Sequence, residues 1–428
     1  MNPGGGEDRI AAALNAWFGP EFGHGRPLNG QAIRDALAAL GDPHCALPPV
    51  VHVAGTNGKG STCAFLAALA AAHGLAAHAF TKPHLLHTRE RIRLAGRETS
   101  DDLFIAALNA VRATHAPLTH FEAQVAAMFL LFANEPADLT ILETGMGGRD
   151  DATNVIAQPA ACVITPIDLD HVDALGPSLA DIAAHKAGIL KRGAPAVIAP
   201  QNDIVRAVLD AHAATAAAPC LHFGTDWDAY GQHGRLCVQT VNRLFDLPLP
   251  ALEGAHQIVN AGAAIAAFDA AGLCALDDAA CARAMRDARL PGRLQRIRHS
   301  AIEAAGGALW FDGAHNPHGA RALAQWLIST RPAAPARTIA LIAMRSRKDA
   351  AGYVEALAPA LDAAFAMPLA DAEDSASPEA LAALARAAGI EAHAFASIGD
   401  ALTAASGIGG ARIIACGSLA LARALATG

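Results

Sequence analysis

From residue 50 onward the chain repeats one pattern: a short β-branched run, a turn, then an Ala/Leu-rich stretch of helical period. PPVVHVAG (48–55), ADLTILETG (137–145), AACVITPI (160–167) and APAVIAP (194–200) have the length of strands buried on both faces. STCAFLAALAAAHG (61–74) reads as a helix with Gly74 just past its end, and the apolar AHAF after it as a strand. SLADIAAHKAGIL (178–190) reads as a helix opened by Ser178, with Asp181 completing a capping pair. This alternation predicts an α/β fold with a mostly parallel sheet covered by helices. Residues 218–252, including RLCVQTVNRLFDLPLPAL, alternate and carry turn residues, which predicts a small antiparallel insertion; HQIVNAGAAIAAFDAAG then returns to helix. After the turn at Pro291–Arg293 a second series begins. Its strands are ALWFDGAH, RTIALIAM, AAFAMPL and ARIIACGS, with GARALAQWL, AAGYVEALA, SPEALAALARAAG and ALARAL as helices. The boundary is placed so that 1–294 and 295–428 form two domains, because 428 residues exceed one ordinary core.

Composition narrows the function classes. Hydrophobic residues make up 53% and charged residues 17%, enough for a large core, although much of the apolar share is alanine. A formal charge of −8 argues against a general nucleic-acid binder. The best membrane candidate, AFLAALAAAHGLAAHAF, is interrupted by His73, Gly74 and His78, and the start MNPGGGEDRI has no basic segment leading into an apolar one. The 8 cysteines include no CxxC pair and are expected to be reduced core thiols of a cytoplasmic protein.

VAGTNGKGS (Val53–Ser61) occupies the first strand-to-helix turn. Its glycines let backbone N–H groups converge on an anion, and the next helix offers its positive end. Lys59 is long enough to reach terminal phosphates. Ser61 is the nearby hydroxyl, one residue later than in the common nucleotide loop, because Gly60 intervenes. Glu143 ends a predicted parallel strand, the position from which a carboxylate faces such a loop and holds Mg²⁺. His171 ends the next strand among Asp168, Asp170 and Asp173.

The spelling GTNGKGS resembles the phosphate loop of the Mur ligase superfamily, and in particular of its folylpolyglutamate synthase and dihydrofolate synthase branch. The resemblance runs from about residue 28 to the C-terminus. It implies an N-terminal P-loop Mur-ligase-like ATPase domain and a C-terminal Rossmann-like α/β domain. Thr56, Asn57, Gly58, Lys59, Gly60 and Ser61 then hold ATP, with Asn260 (HQIVNAGAA), Arg293 (LPGRLQ), Asp312 and His315 (FDGAHNPHG), and Asn316 a neighbour. That match implies ATP bound between the two domains. Ser61, Glu143 and His171 (from DHVDALG) become metal ligands for two Mg²⁺ sites, with a monovalent cation as a further candidate. Lys186 in HKAGI becomes a carbamylated lysine, which requires a neutral amine and so a depressed pKa. Lys59, Lys186 and His171 are the catalytic candidates. Substrate contacts fall on Thr119, His120, Phe121 and Glu122 of LTHFEAQ, on Asp150, Asp151 and Ala152, and on Pro27, Leu28, Asn29 and Gly30 of PLNGQAIR.

Three positions depart from the family pattern. Lys82 stands before Pro83 where the family has a metal-binding serine; a protonated ammonium cannot coordinate Mg²⁺, so Thr81 or Ser61 supplies the oxygen or Lys82 replaces part of the metal's charge. PLNGQAIR lacks the acidic residue usual in the pterin loop, and His185 replaces a glutamate. The resemblance implies an ATP-dependent ligase of folate biosynthesis and one-carbon metabolism. It would add L-glutamate to dihydropteroate, or to the glutamyl tail of reduced folates, through an acyl phosphate. Its expected partners are these small molecules alone, with no nucleic acid or membrane, and a monomer is expected. Three alternatives stand beside it. One is a folate-type ligase with another acid substrate. Another is a cell-wall ligase, for which the stretch before Val53 is short. The last is a regulatory nucleotide-binding module, against which Glu143, His171 and Lys186 all count.

Overall fold

A computed structural model describes residues 8–18, 30–331, 336–370, 372 and 374–426. Its strands, in chain order, begin with β1 (Val50–Ala54), β2 (Ala77–Phe80), β3 (Ile92–Leu94), β4 (Arg97–Glu98), β5 (Leu139–Glu143), β6 (Ala161–Ile164), β7 (Ala196–Ile198) and β8 (Cys220–His222). They form one sheet in the order β4-β3-β2-β5-β1-β6-β7-β8. β2, β5, β1, β6, β7 and β8 run parallel, and β3 and β4 close one edge antiparallel. β1, β5 and β6 are buried along their whole length, which suits the β-branched runs that predict them.

Helices cover both faces. On one, Phe104, Leu108, Val125, Phe129 and Phe132 of the helices Asp101–Arg112 and His120–Asn134 join Phe80 and Leu142. On the other, Ile182, Val205 and Leu209 of Leu179–Ala187 and Asp203–Ala216 pack on Cys162, Ile164 and Ile198. Each such side chain contributes about 1.5–3 kcal/mol relative to exposure. Ser100, Thr119, Ser178 and Asn202 cap their helices by accepting a backbone N–H.

The region expected to be an antiparallel insertion is mixed. Its first strand, β8, pairs parallel to β7 and extends the main sheet, because three residues are too few to display alternation. Only β9 (Asp228–Gln232), β10 (Arg235–Gln239) and β11 (Leu244–Pro248) form the antiparallel sheet, in the order β11-β10-β9.

A second mixed sheet contains β12 (Gln295–Ile297), β13 (Ala308–Phe311), β14 (Thr338–Ile342), β15 (Ala363–Ala366), β16 (Glu391–Ala394) and β17 (Arg412–Cys416) in the order β12-β13-β17-β14-β15-β16. All but β12 are parallel. The chain divides into two compact units, one within 5–251 and 257–289, the other within 252–256 and 290–428. The short 252–256 segment joins the second unit partly through Glu253, whose carboxylate accepts the Trp326 indole N–H at 3.0 Å. All eight cysteines are free; Cys63, Cys162, Cys281 and Cys416 are buried, whereas Cys45 is exposed and so is no core thiol.

Candidate functional site

The carboxyl ends of β1, β5 and β6 lie side by side, and they and the turns that follow carry the predicted phosphate-loop and metal residues Thr56–Ser61, Glu143 and His171. Gly55–Gly58 lead from β1 into the helix Lys59–Ala72. Gly58 takes φ 90°, and a Cβ there would stand 2.4 Å from the Asn260 amide oxygen. Gly55 has φ 146°, and a Cβ there would overlap the Thr165 hydroxyl. Both positions require glycine, for conformation and for space. Unlike the capped helices above, this one has no side chain accepting its first N–H groups. The start of a helix carries a positive partial charge that can attract an anion. Thr56 and Asn57 serve the loop itself: both amides donate to the Pro166 carbonyl, and the Thr56 hydroxyl donates to the Asp168 carbonyl at 2.9 Å. Ser61 is buried in the first turn.

Two lysines converge on one oxygen. Lys59 Nζ donates to the Gly55 carbonyl at 3.0 Å and to that of Thr56 at 3.1 Å. Lys186 Nζ, from the last turn of Leu179–Ala187, donates to the same Gly55 carbonyl at 2.7 Å. Lys186 is only 5% exposed. Burial first, and then the Lys59 ammonium, hold its pKa well below the usual lysine range. Glu143, buried at the end of β5, stands opposite Val53 in register, and its Oε2 accepts the Lys82 amide at 3.0 Å. Lys82 is half-buried, and desolvation with the Lys59 ammonium lowers its pKa to about 8 against the pull of Glu143 and Asp151. The neighbourhood is thus rich in cations around few carboxylates.

Glu143 and Ser61 present oxygen, the donor type that hard cations such as Mg²⁺ take. Among the described residues no three His, Cys, Asp or Glu side chains group together. His171 takes φ 53° before the short helix Val172–Leu175, its amide donating to Asp170 at 2.8 Å.

The acid-side residues surround the loop after β5. The Phe121 ring lies so close to Gly145 that a Cβ there would stand 2.2 Å from it and 3.0 Å from Asp151 Oδ2. A flat apolar ring and a carboxylate acceptor therefore meet at one glycine. Thr119 and Glu122 form the capping box of His120–Asn134, so their polar groups serve the helix start. Asp150 binds Arg149 at 2.9 Å and lies 3.6 Å from His185 Nδ1, while Ala152 is buried. Gly30, with φ 65°, precedes the helix Gln31–Ala39; Pro27, Leu28 and Asn29 lie outside the described residues.

Asn260 is buried, and its amide donates to Gln257 at 3.0 Å. In the second unit Asp312 follows β13, and its carboxylate accepts the Leu294 and Ala314 amides at 2.9 and 2.8 Å. Arg293 donates to the Gly292 carbonyl, His315 Nδ1 lies 2.9 Å from the Gly313 carbonyl, and Asn316 caps the helix Pro317–Ser329.

Sequence reasoning missed His52 and Arg91 here, whereas Thr153 falls in the stretch Asp150–Asn154 that the resemblance implies for the pterin border. His52 of β1 and Thr153 are fully buried and joined at 2.9 Å. The signal for His52 was an imidazole inside a run predicted to be buried on both faces, where it must find a partner. Arg91 is buried and donates to His84 and Gln124.

Residues 53–268 match the Mur ligase middle domain and residues 292–419 the Mur ligase, glutamate ligase domain. The dihydrofolate synthase/folylpolyglutamate synthase of Escherichia coli K12 is 34% identical over 327 residues, 75% of this chain and 73% of that protein. A probable bifunctional folylpolyglutamate synthase/dihydropteroate synthase of Halobacterium salinarum is 34% identical over 69% of this chain, a stretch that spans 37% of the longer archaeal protein. A solved bifunctional folylpolyglutamate synthase/dihydrofolate synthase with Mn, AMPPNP and L-glutamate bound aligns with TM-score 0.86 at 31% identity, over 98% of this chain and 97% of that one. Family model, sequence and fold agree, and the chain belongs to the folylpolyglutamate synthase/dihydrofolate synthase family of Mur ligases.

Proposed function

We propose that this protein joins L-glutamate to a pterin-bearing carboxylic acid at the expense of ATP, the acid being dihydropteroate or the glutamyl tail of a reduced folate. The observation that carries the reading is the convergence of Lys59 and Lys186 on the Gly55 carbonyl, with Glu143 beside them at the end of β5. The family membership and the relative holding Mn, AMPPNP and L-glutamate support ATP and a divalent cation as the nucleotide-side requirements.

A free carboxylate is a poor electrophile. Its oxygen attacks the γ-phosphorus, the bond to the β-phosphate oxygen breaks, and ADP leaves. The glutamate nitrogen then attacks the acyl phosphate carbonyl, phosphate departs with the acyl C–O bond, and the nitrogen loses its proton. The uncapped start of Lys59–Ala72 and the Lys59 ammonium stabilise charge on the moving phosphoryl group. Ser61 and Glu143 would hold Mg²⁺, which neutralises phosphate charge when bound. His171 is assigned to a second site, with a monovalent cation as a further candidate. The depressed pKa of Lys186 suits a neutral amine open to carbamylation. Asn260, Arg293, Asp312 and His315 are assigned to the nucleotide on the motif match. Phe121 and Asp151 are assigned to the pterin, the ring for stacking and the carboxylate for accepting N–H groups; Thr119, His120, Glu122, Asp150, Ala152 and Pro27–Gly30 complete that side. Residues 1–294 act as the ATP-binding domain and 295–428 as the glutamate ligase domain. We place the protein in the cytoplasm as a monomer acting on small molecules alone; no described helix is long and apolar enough to cross a membrane.

The test is phosphate release with ATP, Mg²⁺ and glutamate, comparing dihydropteroate, a reduced folate and no acid. Stimulation by either pterin supports the reading and identifies the step. The position of Lys82 beside Glu143 favours one second reading, a ligase of the same kind with a different acid, and release with neither pterin would select it.

A further inference from the structure

A chain of three buried side chains runs behind the acid site. His52 on β1 and Thr153 in the loop after β5 are 101 positions apart, and their Nε2 and Oγ1 atoms meet at 2.9 Å. The Thr153 hydroxyl donates to Asp151 Oδ1 at 2.6 Å, and the Thr153 amide donates to the same oxygen at 3.0 Å. The Met146 amide donates to Oδ2 at 2.7 Å. His52 and Thr153 are fully buried and Asp151 is 7% exposed.

The proton order is fixed by elimination. Burial raises the Asp151 pKa, but the Thr153 hydroxyl, the Met146 and Thr153 amides and the Lys82 charge all favour its ionised form. A hydroxyl has one hydrogen, and with an ionised carboxylate at 2.6 Å taking it, Thr153 accepts from His52. His52 is therefore the Nε2–H tautomer, and its Nδ1 is a bare, buried nitrogen without a partner. With two donors Oδ1 is saturated, whereas Oδ2, with the one from Met146, faces the Gly145 backbone and the Phe121 ring. The carboxylate cannot turn without abandoning these bonds.

We infer that His52 and Thr153 are positioning residues for the acid substrate: through Thr153 the imidazole locks the Asp151 carboxylate so that Oδ2 stays beside Gly145 and the edge of the Phe121 ring, where it accepts N–H groups of a planar heterocycle. The inference rests on the assignment of Phe121 and Asp151 to the pterin. It adds two residues that touch no substrate, and a direction of hydrogen bonding that sets acid affinity without entering the phosphoryl transfer.

The test pairs Thr153→Val, which keeps shape and removes the hydroxyl, with Thr153→Ser, which keeps the hydroxyl. Thr153→Val is expected to raise the KM for the pterin acid about tenfold or more, the loss of one hydrogen bond to a charged group. Its kcat, its KM for ATP and its calorimetric affinity for ADP should stay within about twofold of wild type, and Thr153→Ser should restore the acid KM. A folded Thr153→Val with an unchanged acid KM, or with acid and ATP constants rising together, overturns the inference. A second measurement needs no Thr153 variant. Imidazole ¹⁵N shifts of the full-length protein, with His52 assigned by its absence in His52→Gln, should show protonated Nε2 and bare Nδ1; the opposite tautomer reverses the chain and overturns it. A wild type that turns over neither pterin sinks the assignment of substrate, while the tautomer still decides the hydrogen-bond chain.

Discussion

Single residues decide what the loop after β1 can do. Lys186 shows why position matters more than type: an exposed lysine is a charged tail, but this one is 5% exposed with its Nζ on a carbonyl that Lys59 also uses. Burial first, and then the Lys59 ammonium, suppress the proton, and that makes it chemically special. Replacing Lys186 by Ala should lower kcat by about two to three orders of magnitude, the scale for losing a preorganised electrostatic contact, while ADP affinity measured by calorimetry changes far less. Glu143→Ala should abolish turnover in a protein whose circular dichroism and melting behave as wild type; near-normal phosphate release would remove Glu143 from the metal site. His52 gives a pH signature. Burial, with the Lys191 charge, lowers its pKa to about 3 from an ordinary value near 6.5. Between those values the unfolded chain binds a proton that the folded one refuses, so stability falls as pH drops from about 6.5 toward 3. The slope is about 1.4 kcal/mol per pH unit within that window. Urea midpoints at pH 7 and pH 5 should therefore diverge less in His52→Gln than in wild type, and equal divergence would refute the assignment.

At the level of elements, the first turn of Lys59–Ala72, like that of Gln31–Ala39, opens on a left-handed glycine with no side-chain cap. Ser100, Thr119, Ser178, Asn202 and Asp277 each cap a helix with a side chain, a local arrangement worth about 1 kcal/mol. Gly58 gives that up, and the orphaned donors become available to phosphate. Gly58→Ala should cost about 1–2 kcal/mol from its left-handed backbone alone, with more from the clash 2.4 Å from Asn260. ADP affinity should drop at least tenfold, about 1.4 kcal/mol; titration calorimetry on the folded variant checks this, and wild-type affinity would show that the cradle is dispensable. The capping boxes at Thr119 and Ser178 were written locally, in three-residue spacings, and Ser178 was readable as such. At Thr119 a hydroxyl followed by Glu three positions later spells both a cap and a family motif, so the sequence alone does not single out the cap. β8 hid for another reason: Cys220–His222 has no period of its own and owes its place to pairing with β7.

Across the whole molecule, binding and stability are linked. ADP with a divalent cation, present at a hundred times its Kd, should stabilise the native state by about 2.7 kcal/mol, visible as a raised Tm by calorimetry. Chelation of the cation should remove much of that shift and leave the Tm without nucleotide unchanged; an identical shift with and without chelator would count against Ser61 and Glu143 as metal ligands. Much of this architecture was legible in advance. Nine predicted strand runs, from β1 to β17, are strands, since burial on both faces, which all but β13 show, forces a composition that can be recognised without neighbours. The phosphate loop was legible because its chemistry is contiguous: glycines, lysine and hydroxyl must sit within one turn. The meeting of Lys186 with Gly55 across 131 positions, and of His52 with Thr153 across 101, was not. Periodicity and propensity are local, whereas these contacts depend on which strand lies beside which and in what register. The amino-acid order by itself thus determined the layers and the glycine-rich turn after β1; only the tertiary structure decided which distant groups share an oxygen, which buried polar groups pair, and how the Asp151 carboxylate is held.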